Sequence, residues 1–316
     1  MNKNSKIYVA GHTGLVGSAI MRKLEKEGFT NLVLKTRKEL NLLDANAVSD
    51  FFAKEKPEFV VDSAARVGGI KANIENQADF LFENLQIQNN LIWGAHKAGV
   101  KKFLFLGSSC IYPRDCPQPM KEEYFMTGKF EPTNEGYAVA KTAGIKLCEY
   151  IYNQYGQKFI SCMPSNVYGP NDHFDPEYSH VHAGLMRRIH EAKVAGAVEV
   201  VVWGSGVSRR EFLHVDDLAE AVLFLLQNYE NKKFLNVGTG NDVSIKELAE
   251  MLVRIVEFKG KLAFDKTKPD GMPKKLMDSS KINKLGWKSK IKLEEGLKDL
   301  YKWFLENVAD TKSHLQ

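Results

Sequence analysis

Tyr137 and Lys141, a phenol and an ammonium four positions apart, are the first residues here whose spacing suggests chemistry. On a helix that interval puts both side chains on one face. A nearby ammonium favours phenolate over phenol, so the lysine is expected to lower the tyrosine pKa toward the working range. The tyrosine can then pass a proton to a ketone oxygen. Such a pair is common by chance on helix surfaces. It gains weight from Gly107-Ser108-Ser109, which follows an apolar run ending in Leu106. Ligands of open parallel sheets gather at the C-terminal ends of strands, where Ser108 would donate to the same oxygen.

A second constellation lies upstream. Gly11-His12-Thr13-Gly14-Leu15-Val16-Gly17 follows the first apolar run directly and opens a helical pattern. The first glycine permits a tight turn, the second lets backbone N–H groups approach a pyrophosphate, and the third lets helix and strand pack closely. The helix N-terminus adds partial positive charge for phosphates. Binders of NAD place an acid about 20 residues beyond the glycines to hold the ribose 2′-hydroxyl. Here Lys35-Thr36-Arg37-Lys38 occupies that region, with no acid before Glu39. A guanidinium suits a 2′-phosphate, so Arg37 points to NADP.

The elements needed to hold these groups can be read from periodicity. Apolar runs predict strands over 7–10, 31–36, 59–64, 101–109 and 159–164. Helical patterns over 16–27, 45–56, 78–98 and 135–155 alternate with them. Continuous apolar strands between helices mean an α/β fold, a Rossmann doubly wound parallel sheet covered on both faces. After Asn166 the pattern becomes mixed. Helices are expected over 181–194, 216–227, 245–256 and 293–307, and strands over 200–203 and 234–237, with a turn-rich loop at 268–273. This predicts a dinucleotide domain over 1–165 with a segment returning near 212–237. A smaller mixed α/β substrate domain would then comprise 166–211 and 238–316.

Composition bounds the rest. Of 316 residues, 44% are hydrophobic and 26% charged, as in ordinary globular proteins. The net charge of +5, with both signs interleaved, mildly favours anionic ligands and gives no sign of a nucleic-acid partner. The lysine-rich stretch from Lys259 to Lys290 reads as a solvated face. Four cysteines (Cys110, Cys116, Cys148, Cys162) form no C-x-x-C pair and no disulfide framework, and Cys148 and Cys162 read as structural. No metal-ligand spacing, signal peptide or membrane-length apolar run is visible, which points to the cytoplasm.

Taken together, GHTGLVGSAI, LVLKTRKELNLLD, ARVGGIKAN, LGSSCIYP, EPTNEGYAVAKTAGIKLCE, MPSNVYGPNDHF, SHVHAGLMRRIHEA, VVWGSGVSRREFLHVDDLA and KPDGMPKKLMD resemble the GDP-sugar epimerase/reductases of the extended short-chain dehydrogenase/reductase family. The likeness runs over nearly the whole chain. It implies inversion at C3 and C5 of GDP-4-keto-6-deoxy-D-mannose and then NADPH-dependent reduction at C4. It further implies that Cys110 and His180 are the acid/base pair for inversion, beside Ser108, Tyr137 and Lys141. Both carbons flank the C4 ketone, so their protons are acidified, and inversion needs one group on each face. Thiol and imidazole side chains suit that work near neutrality. Reduction first would remove the acidity, so epimerisation comes first.

The same resemblance implies cofactor contacts from the 11–17 loop, Arg37, Leu106, Gly107, Lys141, Pro164, Asn166, Val167 and His180. It implies GDP-sugar contacts from Asn166, Arg188, Trp203, Arg210 and Asp278. Arg187 and Arg209 adjoin two of these, and the second arginine of each pair is the one the family pattern selects. The helices over 78–98 and 135–155 are expected to pair across a homodimer as a four-helix bundle. Thr13 stands where NADP-using relatives often carry a basic residue, which leaves Arg37 more alone at the 2′-phosphate. Rival readings are a 3-deoxy-sugar (colitose-type) synthase, an enzyme that acts on a 6-deoxy-heptose or that reduces without epimerising, and a non-catalytic NADP sensor. The intact Tyr137–Lys141 pair argues against the sensor.

Overall fold

A computed structural model describes residues 1–175, 177–268 and 270–309. Pro269 of the turn-rich loop, and the last seven residues of the expected substrate-side segment, lie outside the described residues. In the first half the elements run β1 (Ile7–Ala10), α1 (Leu15–Lys26), β2 (Leu32–Val33), α2 (Ala45–Glu55), β3 (Phe59–Asp62), α3 (Ile70–Glu75), α4 (Gln77–Lys97), β4 (Lys102–Leu106), α5 (Glu135–Tyr155) and β5 (Lys158–Pro164). Next come β6 (Asn166–Tyr168), α6 (Val181–Val194), β7 (Glu199–Trp203), β8 (Arg209–His214), α7 (Val215–Asn228) and β9 (Leu235–Val237). The chain continues with β10 (Asp242–Ser244), α8 (Ile245–Val256), β11 (Lys261–Asp265), β12 (Lys274–Lys275), α9 (Ser280–Lys284) and α10 (Leu293–Asn307).

The central sheet has the order β2-β1-β3-β4-β5-β9, with every neighbouring pair parallel. Its strands are apolar at successive positions because both faces are covered. Ile7, Val9, Val61, Leu104 and Ile160 pack on one side with residues of α1 and α7. Tyr8, Val60, Phe103, Phe105 and Phe159 pack on the other with residues of α2, α4 and α5. The chain leaves this sheet at Pro164 and returns through α7 to add β9. Strand order reverses at β1, so the crevice beyond the ends of β1 and β3 is the switch point where such sheets hold ligands.

The remaining elements build the wall facing that crevice. In a smaller sheet β8 pairs with β6 and β12 in parallel and with β10 antiparallel, while β7 pairs with β11. Residues of α6, α8 and α10 form a third core around Phe212, Leu248 and Phe304. Glu211 of β8 fastens several segments together. Its buried carboxylate accepts from the Thr239 N–H (2.5 Å), the Gly240 N–H (2.7 Å), the Thr239 hydroxyl (3.2 Å) and the Met277 N–H (2.8 Å).

Some expected boundaries moved. The strand expected over 31–36 pairs only at Leu32 and Val33, because it is the sheet edge and its one neighbour turns away into the glycine loop after Ala10. Residues 209–214, where no strand was expected, form β8, the hub of the second sheet. No described helix is long and apolar enough to cross a membrane.

Candidate active site

One cavity of about 1010 Å³ opens at the switch point. Its size is at the upper end for ligand pockets. Its wall includes Gly11, Thr13, Gly14, Leu15, Val16 and Arg37 of the glycine-loop side, and Leu106, Gly107, Ser108 and Cys110 after β4. It also includes Tyr137 and Lys141 of α5, Pro164, Asn166 and Val167 around β5 and β6, and His180, Arg188, Trp203 and Arg210 of the facing wall. Residues far apart in the chain thus share one space because the parallel sheet brings its strand ends together.

The glycine loop is a cradle that side chains would fill. Gly11 adopts φ +77°, which favours glycine, and a Cβ there would lie 2.9 Å from Ala64 backbone. A Cβ on Gly17 would lie 2.1 Å from the Gly11 carbonyl oxygen. Gly14 caps α1 without a side-chain hydrogen bond, leaving N–H groups of the first turn for a ligand. His12 and Gly17 are not on the wall. At the rim Lys35 and exposed Arg37 are basic, and the nearby acid is engaged: Glu39 accepts from Thr36 N–H (2.8 Å) and hydroxyl (2.7 Å). The residues present fit a dinucleotide with a phosphate on its ribose better than one with a free 2′-hydroxyl.

Ser108 lies at the mouth of a short 3-10 turn, Ser109–Ile111, where its Oγ accepts from the Cys110 N–H at 3.2 Å. Its own O–H remains free to donate, and it lies in hydrogen-bonding reach of the Tyr137 phenol. Lys141 is buried, donates to the Leu106 carbonyl at 2.9 Å, and stands 5.8 Å from the Tyr137 ring centre. The expected lowering of the tyrosine pKa by this lysine is not what the protein alone gives. Burial of the phenol raises its pKa, the Cys110 charge adds to this, and the Ser108 hydrogen bond only partly offsets them. Desolvation dominates, so Tyr137 is a protonated donor.

Two N–H donors converge on the Cys110 sulfur, Asn134 Nδ2 at 3.1 Å and Lys275 Nζ at 3.5 Å. His180 caps α6 and is exposed toward the cavity, yet surrounding protein desolvates it. Burial lowers its pKa, Asp172 works against that, and His182 and Lys275 add to it. The imidazole is therefore mainly neutral at neutral pH.

The facing wall separates each arginine pair. Arg187 turns to Glu191 (2.9 Å) and Arg209 to Asp242 (2.6 Å), while Arg188 and Arg210 face the cavity. The Arg188 guanidinium lies 5.9 Å from the Trp203 ring centre, and Lys268 Nζ lies 5.4 Å from it. Asn166 donates to the Glu211 carbonyl at 2.7 Å. Asp278, expected among the sugar contacts, is not on the wall: its carboxylate accepts from Ser280 N–H at 2.9 Å and secures the turn into α9. Asp270 and Lys275, from the same stretch, are on it. Lys275 thus departs from the solvated face expected for that lysine-rich run, because β12 is drawn beside Arg209 and Arg210. Nothing in its local sequence signalled this. The same holds for Asn134, and for the buried Asp62 near Lys141.

Comparison with known proteins agrees with this geometry. Residues 7–238 match the model of the NAD dependent epimerase/dehydratase family. GDP-L-fucose synthase 1 of Arabidopsis thaliana is 58% identical, covering 98% of this chain and 96% of that protein. The crystal structure of a GDP-6-OMe-4-keto-L-xylo-heptose reductase from C. jejuni superposes with a TM-score of 0.93 at 40% identity, covering 97% and 99%. A GDP-L-fucose synthetase from Naegleria fowleri, bound to NADP, gives 0.89 at 30% identity, covering 97% and 96%. The chain belongs to the NAD dependent epimerase/dehydratase family.

Proposed function

We propose that this chain converts GDP-4-keto-6-deoxy-D-mannose to GDP-L-fucose, inverting C3 and C5 and then reducing C4 with NADPH. The observation that carries the reading is the meeting of Ser108, Tyr137, Lys141, Cys110 and His180 on one cavity wall. The 58% identity to a GDP-L-fucose synthase supports the substrate. NADP is the cofactor, held by the glycine cradle with Arg37 at its rim, and when bound it supplies the hydride for C4.

The chain's own residues do the rest. Ser108 and Tyr137 donate to the C4 oxygen. That withdraws electrons from the ketone and acidifies the protons on C3 and C5. One of Cys110 and His180 removes such a proton, the electron pair moves onto the C4 oxygen as an enolate, and Ser108 and Tyr137 stabilise it. The other returns a proton to the opposite face, and the ketone re-forms inverted. Lys275 and Asn134 hold the Cys110 sulfur in place for this step. In the reduction Tyr137 gives its proton to the C4 oxygen. Arg188 and Arg210 suit the diphosphate, and Trp203 offers a flat face for a base or sugar.

A second reading is favoured by the heptose reductase fold match: reduction of a GDP-keto-heptose without inversion. The 3-deoxy analogue is a third substrate to run beside it. NADPH oxidation with each ketone, and product stereochemistry by NMR, separates them. On the deoxymannose substrate Tyr137→Phe should lose NADPH turnover by about 10²–10⁴-fold. Cys110→Ser should lose wash-in of solvent deuterium at C3 and C5. Undiminished turnover in the first, or intact wash-in in the second, removes that residue from the mechanism. We further propose a cytoplasmic homodimer joined through α4 and α5. The four cysteines are free, which suits a reducing compartment.

A further inference from the structure

Behind His180 lies a second histidine that the reaction as described does not use. His182 is fully buried, with its Nε2 2.6 Å from Oδ2 of Asp172. Its other ring nitrogen, Nδ1, is buried without a hydrogen-bond partner among the described residues. Tyr168 and Phe212 meet the ring edge to face at 5.9 Å and 5.8 Å between centres. The His180 ring lies against it, nearly parallel, at 6.3 Å and 20°. Asp172 comes from the loop after β6 and His182 from the first turn of α6. Their contact therefore clasps the loop to the helix across the residue that begins it, His180.

Packing alone does not call for such a pair. Two ionisable groups in an apolar setting lose hydration that their attraction hardly restores, and apolar residues of like volume serve stability as well or better. Buried titratable pairs beside a reactive group concentrate at functional sites. The charges facing His180 are few: Asp172 and His173 from the loop, His182 from α6, and Lys275 from β12. Asp172 is the one anion among them. Burial works to raise its own carboxyl, but the charge and hydrogen bond of His182 outweigh this and hold it below the usual carboxylate range.

We propose that the Asp172–His182 pair is a positioning and charge-setting device for His180, acting on the epimerisation half of the reaction. This rests on the reading of His180 as a proton-transfer group. The paired imidazole screens the Asp172 carboxylate from His180 and fixes the ring that His180 leans on. Weakening either partner therefore moves His180 in a predictable sense. Without the imidazole, the unscreened carboxylate favours protonated His180; without the carboxylate charge, protonation becomes harder.

The test uses the full chain with His182→Gln, which keeps an amide donor toward Asp172, and with Asp172→Asn. Deuterium wash-in at C3 and C5 is followed against pH, and reduction is followed separately with ketone already inverted at both carbons. The limb of the wash-in profile set by His180 should move up in His182→Gln and down in Asp172→Asn, by about half a pH unit or more each. Reduction of the inverted ketone should change less than about threefold, since the pair faces the epimerase group. Loss of wash-in with reduction kept also supports the assignment. Profiles that superpose on the parent, shifts in one common direction, or an equal fall in both half-reactions overturn it. Thermal melts exclude variants that do not fold. A parent chain with no wash-in at all would instead overturn the epimerase reading itself.

Discussion

Asp62 ends β3 with its carboxylate buried, one oxygen accepting from the Ala64 N–H at 3.1 Å and the other without a partner among the described residues. Burial pushes its pKa up to about 6 from 3.8, against a smaller downward pull from Lys141. The folded chain therefore holds this proton more tightly than the unfolded chain between those values. The stability it contributes is complete below about pH 4 and is lost as pH rises through about 6. Asp62→Asn removes that dependence. Melting curves should show the variant gaining on the parent from about pH 4 to pH 7, and a constant difference would refute the buried-carboxyl account. Lys141 responds in the opposite sense, because burial lowers its pKa and Asp62 raises it. At this scale the sequence was a good guide to which groups meet. It was a poor guide to their protonation. The spacing of Tyr137 and Lys141 says that they share a helix face, but not that the phenol is enclosed or that the ammonium is tied to the Leu106 carbonyl.

Among the elements, the turn from β1 into α1 makes the sharpest demand. An alanine at Gly17 would drive its methyl into the Gly11 carbonyl, whereas one at Gly14 would sit 3.5 Å from the same oxygen. Gly17→Ala should lower the melting temperature, at a cost of about 1–3 kcal/mol of overpacking, and weaken NADPH binding more than Gly14→Ala does in the same titration. Equal behaviour of the two would mean that the helix does not need its close approach. Elements with a strong period were legible to within a residue or two: α5, α6, α8 and α10 match their expected ranges at both ends. Those that depend on distant partners were not. β6, β10 and β12 are two or three residues long and exist only because β8 lies beside them. Helix α3 falls where glycines 68 and 69 hide its period, and the backbone there is pinned by the Gly69 N–H donating to Tyr178 at 2.7 Å.

For the whole molecule, α4 and α5 pack together and carry uncovered apolar side chains outward. Phe82 is 65% exposed and Trp93 46% on α4, and Val139 is 39% and Tyr150 55% on α5. Within each helix the two are eleven positions apart, three turns along one face. A face of this kind is costly to leave in water and is the natural seam for a second copy. Sedimentation at micromolar concentration should give twice the chain mass for the parent and the single chain mass for Phe82→Glu with Tyr150→Glu. A parent that sediments as one chain would remove the four-helix bundle. That these two helices belong to one bundle was an expectation of the family resemblance, but the exposure of their outer faces needed the fold.

The Glu211 latch bears on synthesis as well as architecture. A nascent chain that has emerged only through β8 exposes a carboxylate destined for burial, and its donors at 239, 240 and 277 have yet to emerge. An unmet buried acceptor is costly. The Glu211 contacts therefore cannot all be made before residue 277 leaves the ribosome, whereas the strands β1 to β5 are outside by then. A chain arrested between those points would carry the glycine cradle and the wall residues up to Arg210 without the full set of contacts that fastens β8 to residues 239, 240 and 277.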